Sequence, residues 1–348
     1  MAVFNHSEFD SHEQVVFCAD AETGLKAIIA VHSTALGPAV GGCRLWDYAS
    51  DEAALNDVLR LSRGMTYKNA MAGLPLGGGK SVIIGDAKKI KSEALFRAFG
   101  RMVHRLSGSY YSAEDVNITT GDIMIVNKET PFVAGLEGKS GNPAPFTALG
   151  TYRGIKAAAK HKFGSDSLEG KTIAVQGLGS VGFYLCEHLH KEGARLVVTD
   201  INKEAVQRAV TLFGATAVEL DAIYAVDADV YAPCALGATL NDETIPQLKA
   251  RIVAGCANNQ LQQARHGEIL RQKGILYAPD YVINAGGIIN VAFEMRPEGY
   301  SEQESTAKVM AIYDTLINIF ERADADNQPT SVVADLMAQE IIRRGKTL

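Results

Sequence analysis

Apolar positions along this chain occur both in short, β-branched runs and at a helical spacing of about 3.6 residues, which together predict an α/β fold. In the first third, apolar residues at helical spacing follow a capping serine at 51–63 and at 92–106. Apolar and β-branched runs predict strands at 14–18 and 25–32, and the stretch SYYSAED predicts another that ends in two acids, the second of them Asp115. Functional side chains of open α/β sheets tend to lie at such strand ends.

The segment at 135–145, GLEGKSGNPAP, is rich in turn-forming residues and has no periodicity, so we expect a domain boundary there. Beyond it, strands and helices alternate regularly, which predicts a parallel, doubly wound sheet. The predicted elements are a helix at 147–161, a strand at 172–176, a helix at 181–191, strands at 195–199, 229–233 and 252–255, and closing helices at 302–324 and 331–344. We therefore expect two α/β domains with a cleft between them. They are an N-terminal domain at 1–135 and a Rossmann-type domain at 146–330, with 331–348 packing back on the first.

The composition is that of an ordinary globular protein, with 348 residues, 47% of them hydrophobic and 21% charged. A net charge of −6 argues against nucleic acid or an anionic membrane as a partner, because both require a basic surface. We expect no secretion signal and no membrane span. Five scattered cysteines without C-x-x-C spacing favour free thiols in a reducing cytoplasm and predict no metal site.

The glycine-rich turn after the strand KTIAVQ predicts a dinucleotide-binding site. It has the spacing G-x-G-x-x-G between a strand and a helix, and Asp200 closes the next predicted strand 23 residues after Gly177. Asp200 would accept hydrogen bonds from a ribose 2′-hydroxyl and repel a 2′-phosphate, which favours NAD over NADP, although Lys203 lies close enough to soften that preference. The candidate cofactor-binding residues of the turn are Gly177, Gly179, Ser180, Val181 and Gly182.

The stretch LPLGGGKSVIIGD at 74–86 has a lysine behind three glycines, as a phosphate-binding P-loop does. A P-loop needs its first glycine where Leu74 stands and leads into a helix, whereas the residues after Lys80 predict a strand. Spacing and context therefore both argue against a P-loop. A lysine between glycines and β-branched residues is expected to be partly desolvated, which suits a general base.

Three segments of the first domain carry candidate chemistry: GGCR, RGMTYKNAMAGLPLGGGK and SAEDV. Taken alone, Lys68 in the second segment is more simply a solvated helix lysine, and Asp115 in the third a helix cap. A functional assignment of these residues needs further support.

Long motifs in a fixed order extend over essentially the whole chain. They are LGPAVGGCRLW, EAALNDVLRLSRGMTYKNAMAGLPLGGGKSVIIGD, SAEDV, SGNPAPFTALG, VVTDINKEAV, YAPCALGATLN, ANNQL and YVINAGGIINV. Through them the chain resembles the amino-acid dehydrogenase family that contains glutamate, leucine, phenylalanine and valine dehydrogenases, and it is most similar to the leucine-specific members. The resemblance implies reversible, NAD-dependent oxidative deamination of an L-amino acid to a 2-oxo acid and ammonia.

The resemblance also implies roles for residues of the first domain. Lys80 matches the lysine that activates water for attack on the imine carbon, and Asp115 matches the acid that exchanges protons with the substrate nitrogen. Lys68 matches the lysine that binds the substrate α-carboxylate. The other substrate-binding positions implied in this region are Gly41, Gly42 and Met65. In the second domain, the resemblance assigns Thr147, Asn259 and Asn284 to the surroundings of the nicotinamide and its ribose.

The resemblance assigns five positions to the substrate side chain: Val40, Ala113, Ala134, Ile288 and Val291. Glutamate enzymes have a lysine where Val40 stands and a serine where Val291 stands. A second carboxylate would be buried here without a partner, at a cost on the order of several kcal/mol. An apolar amino acid is therefore expected.

Leucine and its branched relatives fit these positions, with phenylalanine as the alternative. Val40 and Ala134 are smaller than the leucine and threonine usual in leucine dehydrogenases, which would leave room for a bulkier side chain. The motif GGIINV is closer to the leucine enzymes, since phenylalanine enzymes tend to have glutamine where Asn290 stands. One methylene changes discrimination by only ~1–3 kcal/mol, so both substrates stay open.

A non-catalytic NAD-binding regulator on the same fold is the rival interpretation, because fold alone does not define function. A regulator has no need of Lys68, Lys80 and Asp115 together, so the enzyme is favoured. The expected partners are small molecules, namely the L-amino acid, the 2-oxo acid and ammonia. Members of the family are homo-oligomers, so we expect a homo-oligomer here, either a dimer or an octamer.

Overall fold

The computed structural model describes residues 3–136 and 141–345, and the chain divides into two compact units. The first unit is formed from the described residues of 1–141, 291–300 and 338–348, and the second from 142–290 and 301–337. Parts of the predicted connector and of the predicted domain ends, namely 1–2, 137–140 and 346–348, lie outside the described residues.

The first unit contains one mixed sheet. Its strands are β1 (Gln14–Asp20), β2 (Leu25–Ser33), β3 (Ala39–Trp46), β4 (Gly77–Ile84) and β5 (Tyr110–Ala113). They lie in the order β1-β2-β4-β3-β5, with β2 antiparallel to both β1 and β4, and β3 parallel to both β4 and β5. The helices from this part of the chain are α1 (Asp51–Met71), α2 (Ala87–Ile90), α3 (Glu93–His104) and α4 (Thr120–Asn127).

Strand β2 is buried on both faces, because successive side chains of a strand point to opposite sides. Ile29 packs with Phe96 and Phe99 of α3 in one core cluster. Ile28 packs with Val58 of α1 in another. Helices therefore cover both sides of the sheet, which explains why β2 is almost continuously apolar.

Strand β4 begins at Gly77, earlier than the predicted 81–84, so the three glycines lie inside the sheet. A Cβ atom at Gly78 would stand 2.0 Å from the backbone nitrogen of Thr66. The absence of side chains thus lets α1 lie directly against the strand. Lys80 is followed by the remaining residues of strand β4 and not directly by a helix, which agrees with the argument against a P-loop.

Helix α1 continues to Met71, well beyond the predicted end at residue 63. Gly64 does not end the helix, and a Cβ atom there would meet nothing within 4 Å. The extension carries Met65 and Lys68, two of the predicted substrate-binding residues.

The second unit contains a fully parallel sheet, as predicted. Its strands are β6 (Thr172–Gln176), β7 (Arg195–Thr199), β8 (Thr216–Ala217), β9 (Val230–Pro233), β10 (Ile252–Val253) and β11 (Leu276–Tyr277). They lie in the order β11-β10-β9-β6-β7-β8. From β6 the chain first adds strands β7 and β8 on one side and then β9, β10 and β11 on the other, as in a doubly wound fold. The predicted bounds of β6 and β7 agree with the structure.

The helices from the second half of the chain are α5 (Ala144–Phe163), α6 (Ser180–Lys191), α7 (Lys203–Phe213), α8 (Arg265–Gln272), α9 (Asp280–Ile283), α10 (Gly286–Ala292), α11 (Glu302–Met310), α12 (Ile312–Asp326) and α13 (Thr330–Gly345). The single helix predicted at 302–324 was wrong, since α11 and α12 meet at Ala311. No glycine or proline marks this break, and we have no physical account of it. Among the described helices, none has both the length and the apolarity needed to cross a bilayer.

Two buried histidines link the first sheet to α1. His12 Nε2 lies 3.0 Å from the hydroxyl of Ser62, and His32 Nδ1 lies 2.8 Å from the hydroxyl of Thr66. The two imidazole rings contact each other edge to face, with 4.8 Å between their centroids. Burial, together with the neighbouring His12, lowers the pKa of His32 to about 4.

We expect this histidine pair to make the free energy of unfolding depend on pH. The unfolded chain binds a proton at His32 near pH 6.5, whereas the folded chain binds it only near pH 4, so stability falls as the pH drops through this window. The free energy of unfolding should decrease by about 3 kcal/mol once His32 is fully protonated in the folded chain. Denaturant titrations from pH 7 to pH 4 should show this slope, which His32→Asn should reduce and which His190→Gln, at an exposed position, should leave unchanged. An equal slope in the His32 variant would contradict the assignment.

Candidate active site and dinucleotide loop

The structure brings Lys80 and Asp115 together in the first unit. Lys80 lies in β4, opposite Ala30 of β2, and its side chain points to the end of β5, just before Asp115. The distance from Lys80 Nζ to Asp115 Oδ2 is 2.8 Å. Lys80 is 6% exposed, as expected from its apolar neighbours. The two residues predicted to move protons thus form one ion pair.

Arg44 is a second cation on the same carboxylate, and the sequence analysis gave it no role. Its Nε lies 3.1 Å from Asp115 Oδ2, and its Nη1 lies 2.8 Å from Asp57 Oδ2. Tyr48 donates a hydrogen bond of 2.7 Å to the same Asp57 oxygen. The signal for Arg44 was its position in GGCR, two residues after Gly42 and therefore on the same face of β3.

These charges control the protonation state of Asp115. Burial by itself would raise the pKa of this carboxyl, but the positive charges of Lys80 and Arg44 act more strongly in the opposite direction. The pKa of Asp115 is therefore lowered, and the side chain is a carboxylate at neutral pH. As a carboxylate Asp115 can accept a proton, and its lowered pKa makes it a weaker base than an ordinary aspartate.

Backbone segments approach one another closely beside Lys80 and Asp115. A Cβ atom at Gly42 would lie 2.8 Å from the Cβ of Asp115, and one at Gly41 would lie 1.8 Å from the carbonyl oxygen of Gly79. The Tyr110 hydroxyl donates a hydrogen bond of 2.7 Å to the Gly41 carbonyl, which fixes this peptide. Both glycines predicted for substrate binding are thus required by local packing.

The last two turns of α1 border the same glycines. Met65 Cγ would be 3.3 Å from a Cβ atom at Gly41. Lys68 follows one turn later, in the last turn of the helix. Since residues three apart lie on one helix face, Met65 and Lys68 point in similar directions.

The five positions predicted to contact the substrate side chain do not all belong to one unit. Val40, Ala113 and Ala134 lie in the first unit, and the Ala134 amide donates a hydrogen bond of 2.9 Å to the carbonyl of Ser112. Val40 is fully buried in β3. Val291 belongs to the first unit and Ile288 to the second, although both lie in α10.

The dinucleotide motif forms the turn between β6 and α6. Gly177 has a φ of 104°, a conformation that L side chains rarely adopt, so it permits the tight turn. A Cβ atom at Gly182 would stand 2.1 Å from the Gly177 carbonyl oxygen, so this glycine allows close packing of α6 on the turn. A Cβ atom at Gly179 would meet nothing within 4 Å, which leaves space in front of the helix start at Ser180 and Val181.

Asp200 lies beside this turn, directly after β7. Its Oδ2 accepts a hydrogen bond of 2.6 Å from the Leu178 amide, and its Oδ1 accepts one of 2.7 Å from the Asn202 amide. These bonds hold the carboxylate next to the glycine turn, where the ribose of a dinucleotide lies in such folds.

The three remaining predicted cofactor residues lie in the same unit. Asn284 Nδ2 donates to the Cys256 carbonyl and to Asn258 Oδ1, at 3.1 and 2.7 Å. Its Oδ1 is buried and has no hydrogen-bond donor among the described residues, which suits a ligand donor. Thr147 lies in the first turn of α5, and Asn259 has a φ of 52° and accepts a hydrogen bond from the Ala238 amide at 2.7 Å.

Comparison with known proteins identifies the family to which this chain belongs. Residues 12–135 match the model of the Glu/Leu/Phe/Val dehydrogenase dimerisation domain, and residues 142–206 and 198–343 match that of the Glutamate/Leucine/Phenylalanine/Valine dehydrogenase domain. The chain therefore belongs to this family of amino-acid dehydrogenases and is an NAD(P)-dependent oxidoreductase. The predicted family and the predicted enzyme, as opposed to a regulator, are both confirmed.

Individual members of the family differ in how similar they are to this chain. The chain is 60% identical to a leucine dehydrogenase of Bacillus cereus over 345 residues, which is 98% of this chain and 94% of the relative. It is 49% identical to an L-tryptophan dehydrogenase of Nostoc punctiforme, over 99% of this chain and 98% of the relative. The crystal structure of L-tryptophan dehydrogenase from Nostoc punctiforme matches the fold with a TM-score of 0.85 at 50% identity, covering 97% of each chain.

We expect Arg44→Met to raise the pKa of Asp115, because one of the two cations on its carboxylate is removed. The acidic limb of the pH profile of kcat/KM should move upward by about one pH unit. Arg60→Met is the matched control, since Arg60 contacts the other oxygen of Asp57 at 3.2 Å and not Asp115. An unshifted limb in the Arg44 variant, or an equal shift in both variants, would contradict this electrostatic role.

Proposed function

We propose that this chain catalyses the NAD-dependent oxidative deamination of L-leucine and related branched-chain amino acids. In this reaction the amino acid, NAD⁺ and water give the 2-oxo acid, ammonium, NADH and a proton. The observation that carries the proposal is the buried contact of 2.8 Å between Lys80 Nζ and Asp115 Oδ2 in a chain of this family. An ammonium and a carboxylate at this distance can pass a proton between them and to a bound substrate.

Asp115 and Lys80 divide the proton transfers in this proposal. As a carboxylate, Asp115 takes a proton from the substrate ammonium, which frees the nitrogen lone pair to expel hydride from the α-carbon. The dinucleotide held at the glycine turn would supply the hydride acceptor. Lys80, as the neutral amine left after its own proton has passed to solvent, then orients water and takes a proton from it during attack on the imine carbon, while Asp115 returns a proton to the departing nitrogen.

We assign the substrate carboxylate to Lys68 and to the backbone at Gly41 and Gly42. The cation supplies charge, and the peptide fixed by the Tyr110 hydroxyl supplies a rigid surface. Both ends of the amino acid would then be held, so the α-carbon could take only one orientation.

The proposed preference for leucine has two supports. Val40, Ala113 and Ala134 offer no charged or hydrogen-bonding side chain to a second carboxylate, which disfavours glutamate. Leucine dehydrogenases are 58–60% identical to this chain, against 49% for a tryptophan dehydrogenase and 48% for a phenylalanine dehydrogenase. Phenylalanine is the second candidate, because Val40 and Ala134 are small.

NAD is the proposed cofactor, with Asp200 as the residue that selects it. The residues at the turn fit a dinucleotide, because Gly179 faces open space and Asn284 Oδ1 is a buried acceptor without a donor among the described residues. The Asp200 carboxylate would repel the 2′-phosphate of NADP.

A homo-oligomer in a reducing cytoplasm is part of the proposal. Strand β1 is at the edge of its sheet, and Phe17 on it is 59% exposed, which suits burial against a second copy of the chain. All five cysteines are free thiols, as expected in a reducing compartment.

We expect Lys80→Ala to lower kcat by about 10²- to 10⁴-fold, because general base catalysis is lost. Lys91→Ala is the control, since Lys91 pairs with Asp122 and not with Asp115. The measurement is NADH formation at alkaline pH with L-leucine, L-valine, L-isoleucine, L-phenylalanine, L-tryptophan and L-glutamate. Higher kcat/KM for phenylalanine or tryptophan would contradict the leucine assignment, and full activity of the Lys80 variant would contradict the mechanism.

We expect Asp200→Asn to raise the ratio of kcat/KM with NADP to kcat/KM with NAD by roughly tenfold or more, because one repulsive charge is removed. Asparagine keeps an oxygen that can accept a hydrogen bond from the turn. Glu204→Gln, on the neighbouring helix α7, tests whether any loss of negative charge in this region has the same effect. A ratio that responds equally to both variants would remove the specific role of Asp200.

A further inference from the structure

Two of the five cysteines differ from the others in exposure and in position. Cys18, Cys43 and Cys186 are buried, whereas Cys234 and Cys256 are partly exposed. Cys234 and Cys256 follow the neighbouring parallel strands β9 and β10, which pair Tyr231 with Val253. The two partly exposed cysteines of the chain are therefore close to each other in space.

The contact between the two residues is direct. The Ala257 amide donates a hydrogen bond of 2.9 Å to the Pro233 carbonyl, so Cys234 and Cys256 flank the last bond between their segments. The Cys256 thiol donates a hydrogen bond to the Cys234 sulfur. That bond lowers the pKa of Cys234, although burial acts in the opposite direction. Neighbouring strands are ~4.8 Å apart, which is within the Cα separation that a disulfide can span.

Cys234 also touches the dinucleotide turn. Its amide donates a hydrogen bond of 2.7 Å to the Gln176 carbonyl. A Cβ atom at Gly177 would lie 2.7 Å from the Ala235 nitrogen, and one at Gly182 would lie 3.4 Å from the Cys234 Cβ. The turn therefore packs closely against this segment, so we expect a displacement of Cys234 to disturb it.

We propose that Cys234 and Cys256 are a thiol–disulfide pair, oxidised by a peroxide, whose disulfide weakens dinucleotide binding at the adjacent glycine turn. The Cys234 thiolate attacks one oxygen of hydrogen peroxide, the O–O bond breaks, and a sulfenic acid forms. The leaving hydroxide takes up the proton that Cys234 released, which gives water. Cys256 sulfur then attacks the sulfenic sulfur, an S–S bond forms, and a second water leaves with the Cys256 proton. Two thiols have lost two electrons, and one peroxide has become two waters.

The coupling to the cofactor is reciprocal. If the disulfide lowers the affinity for NADH by a given factor, NADH favours the reduced dithiol by the same factor. A fivefold change, at the lower end of ordinary coupling, corresponds to about 21 mV, since tenfold is 29.6 mV for a two-electron couple. This part rests on the proposed position of the dinucleotide at the glycine turn, whereas disulfide formation does not.

The first experiment tests the disulfide itself, independently of activity. The reduced protein is treated with hydrogen peroxide, and free thiols are counted under denaturing conditions, with peptide mass analysis. We expect loss of two thiols per chain, a peptide linking Cys234 to Cys256, and recovery of both thiols with dithiothreitol. A peptide with two unlinked oxidised cysteines, or unreacted thiols under conditions that oxidise free cysteine, would overturn the proposal.

Cys256→Ser should prevent the link, and Cys18→Ser should leave it intact. Cys234→Ala provides the same test should Cys256→Ser fail to fold.

The second experiment tests the coupling with NADH as the probe. The dissociation constant of NADH is measured by fluorescence for the reduced and the oxidised protein, and thiol oxidation is timed with and without NADH. We expect an increase in the dissociation constant of at least about fivefold on oxidation and slower oxidation in the presence of NADH. Equal constants for the two forms would overturn the coupling. NADH binding by the reduced protein without any amino-acid dehydrogenase activity would reject the proposed function and leave the disulfide result standing.

Discussion

The ion pair of Lys80 and Asp115 is the interaction on which the rest of the first unit depends. The Asp115 carboxylate is only 23% exposed and thus partly desolvated, and two cations that share one of its oxygens stabilise it. Arg44 in turn needs Asp57, which also binds Tyr48 and Arg60. The chain of alternating charges connects three separate parts of the sequence. Loss of Arg44 would leave both Asp57 and Asp115 with one cation fewer, so the geometry of the site and the proton affinity of Asp115 depend on the same residue.

The glycines around this pair have one structural role in common, because they bring backbones closer than side chains allow. Gly78 lets α1 reach the sheet, Gly41 approaches the Gly79 carbonyl, and Gly42 makes room for Asp115. As a result, the helix that carries Met65 and Lys68 lies directly on the strand that carries Lys80. The same principle operates in the second unit, where Gly177 and Gly182 hold α6 against its turn.

Much of this arrangement could be predicted from local pattern, and the remainder could not for identifiable reasons. The strand before Gly177 and the parallel sheet follow from periodicity and turn chemistry, which are short-range properties. The end of α1 was placed too early because Gly64 disfavours a helix by about 1 kcal/mol, and propensity does not reveal that packing against the sheet compensates for this cost. Arg44 was missed because its partners Asp57 and Asp115 are distant in sequence. Only folding makes them neighbours, so the position of Arg44 in GGCR, on the same face of β3 as Gly42, did not reveal which carboxylates it would contact.

The close approach of α1 to β4 restricts how this protein can vary. A methyl group at Gly78 would overlap the Thr66 backbone, and one at Gly79 would lie 2.7 Å from the Tyr110 ring. Random mutagenesis should therefore return almost no tolerated substitutions along this strand. If Val40, Ala113 and Ala134 contact the substrate side chain as proposed, variation at these three positions, where side chains already fill the space, can alter the substrate range. In laboratory evolution, the glycines of β4 are best kept constant, and mutagenesis is better directed to those three positions.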